Sequence, residues 1–312
     1  YAATYGETVL YSSARNEYAI TRMSRILTRT VLTLQKHLKQ GSFQPDDYEL
    51  SFRFAEDLDS IHVDLSEDEK MHLQGRIDRI DVSEDAEHVY VKVIDYKSGN
   101  TALDLTSVYH GLQLQLIVYL NAALELEEKN HPGKHAEPAG MFYYHVKDPL
   151  VDGKPGDEEE EIERKLLEKL KVDGLVRAEE KILKDLDREL EAGKKSLVIP
   201  AAYNKNGSLS SRSKTASKEQ FEELCVYVSD KIRENGTRIL GGEMEKNPYK
   251  LKQRTACDYC SFKEICGFDE KQEGNSFRRL PAFSDEELWK KMREKGEKED
   301  GDEVDAGTAE GH

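Results

Sequence analysis

The sequence has no long hydrophobic run and no export signal. None of its apolar stretches reaches the roughly 18 residues that a membrane-spanning helix needs, and the first segment, YAATYGETVL, lacks the basic-then-apolar order of a signal peptide. Hydrophobic residues make up 37% of the 312 residues and charged residues 35%, which predicts that solvated insertions surround a smaller core. We therefore expect a cytoplasmic protein without membrane contact.

Excess positive charge is also lacking. The formal net charge is −16, whereas proteins that bind nucleic acid contact phosphates through Lys and Arg. The acidic groups are unevenly distributed, however, and residues 193–282 carry more basic than acidic side chains. Composition therefore neither supports nor excludes DNA as a partner. A Gly-rich phosphate loop of the Walker type is absent as well, which places any ATP-driven motor outside these residues.

The periodicity of the apolar residues predicts a mixed α/β fold. An amphipathic helix is expected from about Asn16 to Gln40, and strands are expected in YELSFRF, MHLQGRIDRIDV and HVYVKVIDYKS. A helix over SVYHGLQLQLIVYLNAALEL and a strand in AGMFYYHV follow. This order predicts a mixed central sheet that is flanked by helices and carries the catalytic groups.

Composition divides the chain into four segments. In the third segment (193–282) we expect another amphipathic helix, with a stop at Gly236. The last segment (283–312) buries too little apolar surface to offset its ordering entropy, so we expect it to be disordered. The segments are a core (9–150), a charged helical insertion (151–192), a carboxyl-terminal part with a cysteine knot (193–282) and an acidic tail (283–312).

Two of the predicted strands carry the motifs GRIDRID and VIDYKSG. Asp78 and Asp95 stand among apolar residues, where an uncompensated carboxylate is costly to bury, so a cation is expected beside them. Carboxylates that converge from neighbouring strands suit Mg²⁺ or Mn²⁺. Lys97 follows Asp95 by two residues and shares its face of the strand. The motifs predict a metal and phosphate site, although Asp-x-Lys alone would favour a simple ion pair within the strand.

Together with a Gln-x-x-x-Tyr sequence further on, these motifs resemble the RecB-like branch of the PD-(D/E)xK nucleases. The resemblance implies a restriction-endonuclease-like fold and a Mg²⁺- or Mn²⁺-dependent DNA exonuclease. It also implies that Asp78 and Asp95 ligate the metal with help from the carbonyl of Tyr96, and that Lys97 is the catalytic lysine.

The remaining site residues follow from the same resemblance. Gln115 and Tyr119 form the Gln-x-x-x-Tyr motif, and their spacing of one helical turn lets both face the DNA groove. Nucleases of this branch carry a further metal-ligating His on a helix ahead of the sheet. The surroundings of His37 do not match that pattern, so we expect this ligand upstream of Tyr1 and take Glu49 as an auxiliary candidate.

Three of only four cysteines are close together, at Cys257, Cys260 and Cys266. In a cytoplasmic protein such spacing favours metal or cluster binding over disulfides. Three thiolates leave zinc one ligand short, whereas a [4Fe–4S] cluster can take a distant fourth Cys. The arrangement resembles the iron–sulfur staple of the helicase–nuclease family, which implies a fourth Cys upstream of Tyr1. Cys225 fits core packing on its helix better than ligation.

The span from about Val9 to Asp269 resembles the carboxyl-terminal region of the B subunit in the AddAB helicase–nuclease family. The resemblance implies that the protein pairs with the A subunit in a heterodimer, which acts at double-strand DNA ends during resection and recombinational repair. Arg212 and Lys214, in a polar loop, are candidates for contacts to single-stranded DNA. Two alternatives stay open: a stand-alone iron–sulfur exonuclease of the CRISPR-associated type, and a non-catalytic scaffold that binds DNA ends.

Overall fold

A computed structural model describes residues 11–52, 58–153, 156 and 158–306, and side chains up to residue 295. The helices in these ranges are α1 (Ala14–Gln40), α2 (Leu105–Tyr109), α3 (Gln115–Asn130), α4 (Glu159–Leu170), α5 (Glu180–Leu186), α6 (Lys218–Leu240), α7 (Lys263–Cys266) and α8 (Asp285–Ala306). The strands are β1 (Gln44–Ser51), β2 (His62–Asp64), β3 (Lys70–His72), β4 (Arg76–Glu84), β5 (His88–Lys97), β6 (His135–His145), β7 (Asp173–Arg177), β8 (Thr215–Ala216), β9 (Tyr249–Leu251), β10 (Arg254–Thr255) and β11 (Arg278–Arg279).

The chain divides into two compact units. The sheet unit comprises the described residues within 1–61, 74–103 and 119–221, and the carboxyl-terminal unit comprises the other described residues. This division differs from the four segments expected from composition, because residues 62–73 and 104–118 of the expected core belong to the carboxyl-terminal unit. Long-range packing, which composition does not encode, sets the boundaries.

The sheet unit is built on a six-stranded mixed sheet in the order β1-β4-β5-β6-β7-β8. β1, β4 and β5 are antiparallel neighbours, β5 and β6 are parallel, β7 is antiparallel to β6, and β8 is parallel to β7. The mixed central sheet flanked by helices is thus confirmed.

One face of this sheet is covered by an apolar cluster. β5 and β6 contribute Ile94 and Phe142, and α5 contributes Leu183. Leu34 of α1 packs against the same cluster. Because side chains alternate between the faces of a strand, Asp95, next to Ile94, belongs to the opposite face.

The helix α1 confirms the helix that the periodicity predicts from about Asn16 to Gln40. The side chain of Ser13 caps its first turn by accepting the backbone N–H of Asn16 over 3.2 Å. Thr30 and Thr33 on its inner side are buried. The helix ends at Gly41, where a Cβ atom would lie 2.7 Å from the carbonyl oxygen of Asp185.

Two predicted elements are divided in the structure. The predicted strand MHLQGRIDRIDV becomes β3, which pairs with β2 in a separate two-stranded sheet, and β4. The predicted helix over SVYHGLQLQLIVYLNAALEL becomes α2 and α3. Gly111 lies in the left-handed region between them, at φ +76°, and interrupts the helical backbone.

The charged insertion is not purely helical, because it contains β7, a strand of the central sheet. The sequence break at Gly174 marks this strand. A Cβ atom on Gly174 would lie 2.0 Å from the carbonyl oxygen of Met141 in β6, so only glycine lets the two backbones approach.

In the carboxyl-terminal unit, two expectations need correction. The helix α6 does not stop at Gly236 but continues to Leu240. A Cβ atom on Gly236 would lie 2.7 Å from Leu65 and 3.0 Å from Met71, so close packing and not a helix end accounts for this glycine. Residues 285–306 form α8 where a disordered tail is expected, and residues 307–312 of that tail lie outside the described residues. Leu288, Trp289 and Met292 of α8 are buried, and this short apolar stripe is masked by the charged composition.

Nowhere in the described ranges is a helix both long enough and apolar enough to span a bilayer.

Candidate active site

Asp78 and Asp95 lie opposite each other on β4 and β5. The antiparallel register pairs Arg79 with Ile94, and continuing it by one residue pairs Asp78 with Asp95. The backbone N–H of Tyr96 donates to Oδ2 of Asp78 over 2.8 Å. This hydrogen bond holds the Asp78 carboxylate against the end of β5, so the structure brings the two predicted carboxylates together.

Lys97 completes this group. Its Nζ lies 2.6 Å from Oδ2 of Asp95 and 5.5 Å from the centre of the Tyr143 ring. Asp95 is only 3% exposed, whereas 26% of the Lys97 side chain is exposed. The ammonium therefore reaches from a buried carboxylate towards solvent, where a phosphate has access to it.

The charges of this site do not balance within the described residues. Burial raises the pKa of the Asp95 carboxyl, the nearby Asp78 raises it further, and Lys97 opposes both effects. Two carboxylates face one ammonium, which leaves room for a further cation. Among the described residues no three side chains form a ligand cluster. Two carboxylates and a carbonyl nevertheless fit Mg²⁺, which keeps several waters and takes few protein ligands.

The second aspartate of GRIDRID has a different environment. Asp81 is fully buried and forms a bidentate ion pair with Arg79, with N–O distances of 2.5 and 2.7 Å. Lys92 reaches the same carboxylate at 2.8 Å. Burial opposes ionisation, but Lys92 and Arg79 together lower the pKa of Asp81. Of the two aspartates, only Asp78 is left for a metal. The alternation within RIDRID is the signal by which the sequence could have separated them.

The auxiliary candidates occupy different places. Glu49 lies between the register pairs Tyr48–Arg79 and Leu50–Ile77, hence opposite Asp78, at φ +54°. Its carboxylate is 2.8 Å from Arg76, and both side chains are exposed.

His37 lines a small cavity with Arg79 and Lys92, on the face opposite Asp95. Burial, together with the charges of Lys92 and Arg79, lowers the pKa of His37 to about 3. A neutral histidine beneath the sheet cannot ligate a metal held between Asp78 and Asp95.

Tyr119 is buried and packs edge-on against Phe52, with ring centres 5.8 Å apart. A Cβ atom on Gly75 would lie 3.0 Å from the Phe52 ring and 3.1 Å from the Tyr119 ring, which explains the glycine of GRIDRID. Gln115 is the first residue of α3, one turn before Tyr119. The predicted roles of Gln115 and Tyr119 towards DNA stay predictions.

The sequence profile of the PD-(D/E)XK nuclease superfamily matches residues 3–267. The chain belongs to this superfamily. The mixed sheet is therefore that of a nuclease domain. The roles of Asp78, Asp95 and Lys97 within it stay predictions.

Curated relatives of this nuclease domain in three bacteria carry the name of the B subunit of ATP-dependent helicase/deoxyribonuclease. The relative from Lachnoclostridium phytofermentans is 42% identical over 99% of the chain, and that from Thermoanaerobacter sp. (strain X514) is 38% identical over 96%. The relative from Clostridium acetobutylicum is 39% identical over 96%. The chain spans about a quarter of the length of these relatives, namely 26%, 26% and 25%.

The loop candidates for DNA contact have unlike surroundings. Arg212 is exposed. Lys214 donates to Oδ1 of Asp173 over 2.6 Å, and the other oxygen of Asp173 accepts the backbone N–H of Leu103. Lys214 thus ties its loop to β7, with 41% of its side chain exposed. Contact of either residue with DNA stays a prediction.

The nuclease match ends one residue beyond Cys266. Cys257 is half-buried, Cys260 and Cys266 are exposed, and all are free thiols. The described cysteines do not converge into a ligand cluster. Burial raises the pKa of Cys225 to about 12, which keeps this thiol protonated and unsuited to ligation, as expected of a core residue.

Proposed function

We propose that this chain hydrolyses DNA phosphodiester bonds with Mg²⁺ or Mn²⁺, as the nuclease domain of a helicase–nuclease subunit. The observation that carries the proposal is the pairing of Asp78 and Asp95 across two strands, with a single ammonium beside them. This excess of negative charge in a half-buried place is what a divalent cation neutralises.

Each residue has a distinct task in this reaction. Asp78, Asp95 and the carbonyl of Tyr96 would hold the metal. When bound, the metal lowers the pKa of a water ligand and neutralises charge on the phosphate. Lys97, held at 2.6 Å from Asp95, keeps its ammonium at the site. There it orients the attacking water or neutralises the negative charge that develops on the phosphate oxygens.

The names of the relatives extend the proposal to the whole protein. Their description as the B subunit of an ATP-dependent helicase/deoxyribonuclease supports DNA as the substrate, with a second subunit for a partner. We assign to the whole protein exonucleolytic cutting of single strands at DNA ends, during resection for recombinational repair. The partner is then the A subunit, and the ATP-driven part lies outside this chain.

A [4Fe–4S] cluster belongs to this proposal only with a further ligand. Cys257, Cys260 and Cys266 supply three thiols, and Cys225 is unsuited as a fourth. The described residues alone therefore do not fit a cluster, and a thiol from elsewhere in the protein has to complete it. No step of the proposed hydrolysis depends on it.

Cleavage of a labelled single-stranded oligonucleotide by the full-length protein, with Mg²⁺ or Mn²⁺, tests the proposal. The Asp95→Ala variant is expected to lose cleavage by roughly a thousandfold or more, because it removes a metal ligand and half of the carboxylate pair. Asp68→Ala, at an exposed site, is the matched control and should cut like the wild type. Equal cutting by Asp95→Ala would refute the assignment, and DNA binding without cutting by the wild type would favour a scaffold.

A further inference from the structure

The helix α1 is strongly basic within an acidic chain. It carries six Lys or Arg side chains and one acidic residue, Glu17, whereas the chain as a whole has a net charge of −16. Arg15, Arg22 and Arg29 recur every seven residues. Since seven residues are close to two helical turns, these side chains lie along one face, about 10.5 Å apart.

The basic residues of α1 differ in whether the fold uses them. Lys36, seven residues after Arg29, lies 2.5 Å from Glu163 of the insertion, and Arg25 lies 2.5 Å from Asp148. Arg15, Arg22 and Arg29 form no ion pair with any of the residues that the structure describes. Arg15 and Arg22 are exposed, and Arg29 is half-buried. The fold of the described residues therefore does not require these three charges.

α1 packs on the sheet face opposite Asp95, and its amino-terminal half reaches the end of the sheet at which Lys97 lies. β5 and β6 run parallel, with Lys97 in register with His145, so Asp148 lies just past the end of the sheet that carries Lys97. The ion pair with Asp148 fixes Arg25 at that end. The amino-terminal part of α1 continues from there, and Arg15 lies about 15 Å further along the helix axis.

We propose that Arg15, Arg22 and Arg29 form a phosphate-binding strip that holds the backbone of single-stranded DNA at the end of the sheet that carries Lys97. The proposal rests on the proposed nuclease function and adds a binding surface to it. Guanidinium groups bind phosphate through paired hydrogen bonds and stay charged at every physiological pH. Neighbouring members of the strip span on the order of two to three phosphates of a strand.

Binding of the full-length protein to a fluorescent oligonucleotide, without divalent cations so that cleavage is absent, tests the strip. In the triple variant Arg15→Gln, Arg22→Gln, Arg29→Gln, glutamine keeps the helix propensity while the charges are lost. We expect binding to weaken by about tenfold or more near 0.1 M salt, and the slope of log K against log salt to fall by about 2.

The matched control removes three charges from exposed residues of the same unit, by Arg164→Gln, Lys194→Gln and Lys195→Gln. It alters the net charge equally and should bind DNA like the wild type. Wild-type affinity and salt slope in the strip variant would overturn the strip. So would release of the partner subunit with unchanged DNA binding, because the strip would then contact a protein.

The two proposals fail separately. A wild type that cuts DNA while the strip variant binds normally refutes the strip alone. A wild type that does not cut with Mg²⁺ or Mn²⁺ refutes the nuclease assignment, whereas the binding measurement still decides whether the strip holds a phosphate backbone.

Discussion

The two faces of the strands β4 and β5 carry similar residues with opposite consequences. On one face, Asp78 and Asp95 lie opposite each other, and the ammonium of Lys97 pairs with Asp95. On the other face, one carboxylate, Asp81, is held by two cations at distances between 2.5 and 2.8 Å. The first face has an excess of negative charge and partial access to solvent, and the second has neither.

The β4–β5 hairpin thus carries a candidate metal site on one face and a stabilising ion group on the other. A buried ion group with more cations than carboxylates has no affinity for a metal ion. It contributes to the stability of the fold through its internal hydrogen bonds. A carboxylate pair with too few cations is destabilising until a metal neutralises it. Charge balance, more than residue type, therefore distinguishes a candidate metal site from a structural ion pair.

The strongest test of this comparison replaces one carboxylate on each face by an uncharged amide. Asp81→Asn should reduce the free energy of unfolding by about 3–5 kcal/mol, because Arg79 and Lys92 lose their buried counter-charge. Asp95→Asn should leave stability unchanged or raise it, because burial already disfavours its charge. Chemical denaturation of both variants without divalent cations measures the difference. Equal losses would show that the two faces are not distinct.

A third carboxylate, Glu127, extends the comparison to a buried acid whose ion-pair partner among the described residues is a histidine, His131. Burial raises the pKa of Glu127 from 4.5 to about 7, Asp46 and Asp47 add to the effect, and His131 opposes it. Because the folded-state pKa is the higher one, the stabilisation is complete below pH 4.5 and is lost as the pH rises through about 7.

Glu127→Gln should therefore raise the stability at pH 8 by about 2 kcal/mol and change little near pH 4.5. Thermal unfolding at both pH values measures this. Glu128→Gln, a change at the neighbouring exposed residue, is the control. A gain of the same size at both pH values would contradict the titration.

The smallest expected effect concerns the second cation of the buried group. Lys92→Met should cost about 1 kcal/mol or less, since Asp81 keeps its bidentate Arg79 and burial already lowers the pKa of Lys92. Lys97→Met, on the other face, should remove most DNA cleavage. Denaturation curves and the cleavage assay, run on both variants, check the pair. If Lys92→Met reduced the free energy of unfolding as much as Asp81→Asn, both Arg79 and Lys92 would be required to stabilise Asp81.

The sequence predicts the hairpin and its candidate catalytic residues because alternation is a local property. Asp78, Asp95 and Lys97 are read from the period of two residues along two strands. The role of Asp81 was missed although the same period separates it from Asp78. Its partner Lys92 comes from the next strand, and a cross-strand contact is visible only once the register is known.

Elements fixed by tertiary contacts were predicted less well. The strand β7 lies in a highly charged segment and depends on the close approach of Gly174 to β6. The helix α8 depends on Leu288, Trp289 and Met292, whose apolar stripe is short beside the surrounding charges. In both cases the stabilising surface is supplied by distant parts of the chain, which single-segment composition does not represent.

The buried ion group of Asp81, Arg79 and Lys92 also helps to set the register between β4 and β5. Sliding β4 by one residue against β5 would turn every side chain of the hairpin to the other side. Arg79 and Asp81 would then be separated from Lys92, and Asp78 would be buried among apolar side chains without a counter-ion. The shifted register would therefore leave uncompensated charge both at the Asp81 ion group and at Asp78. The ion group thus favours the register in which Asp78 lies opposite Asp95.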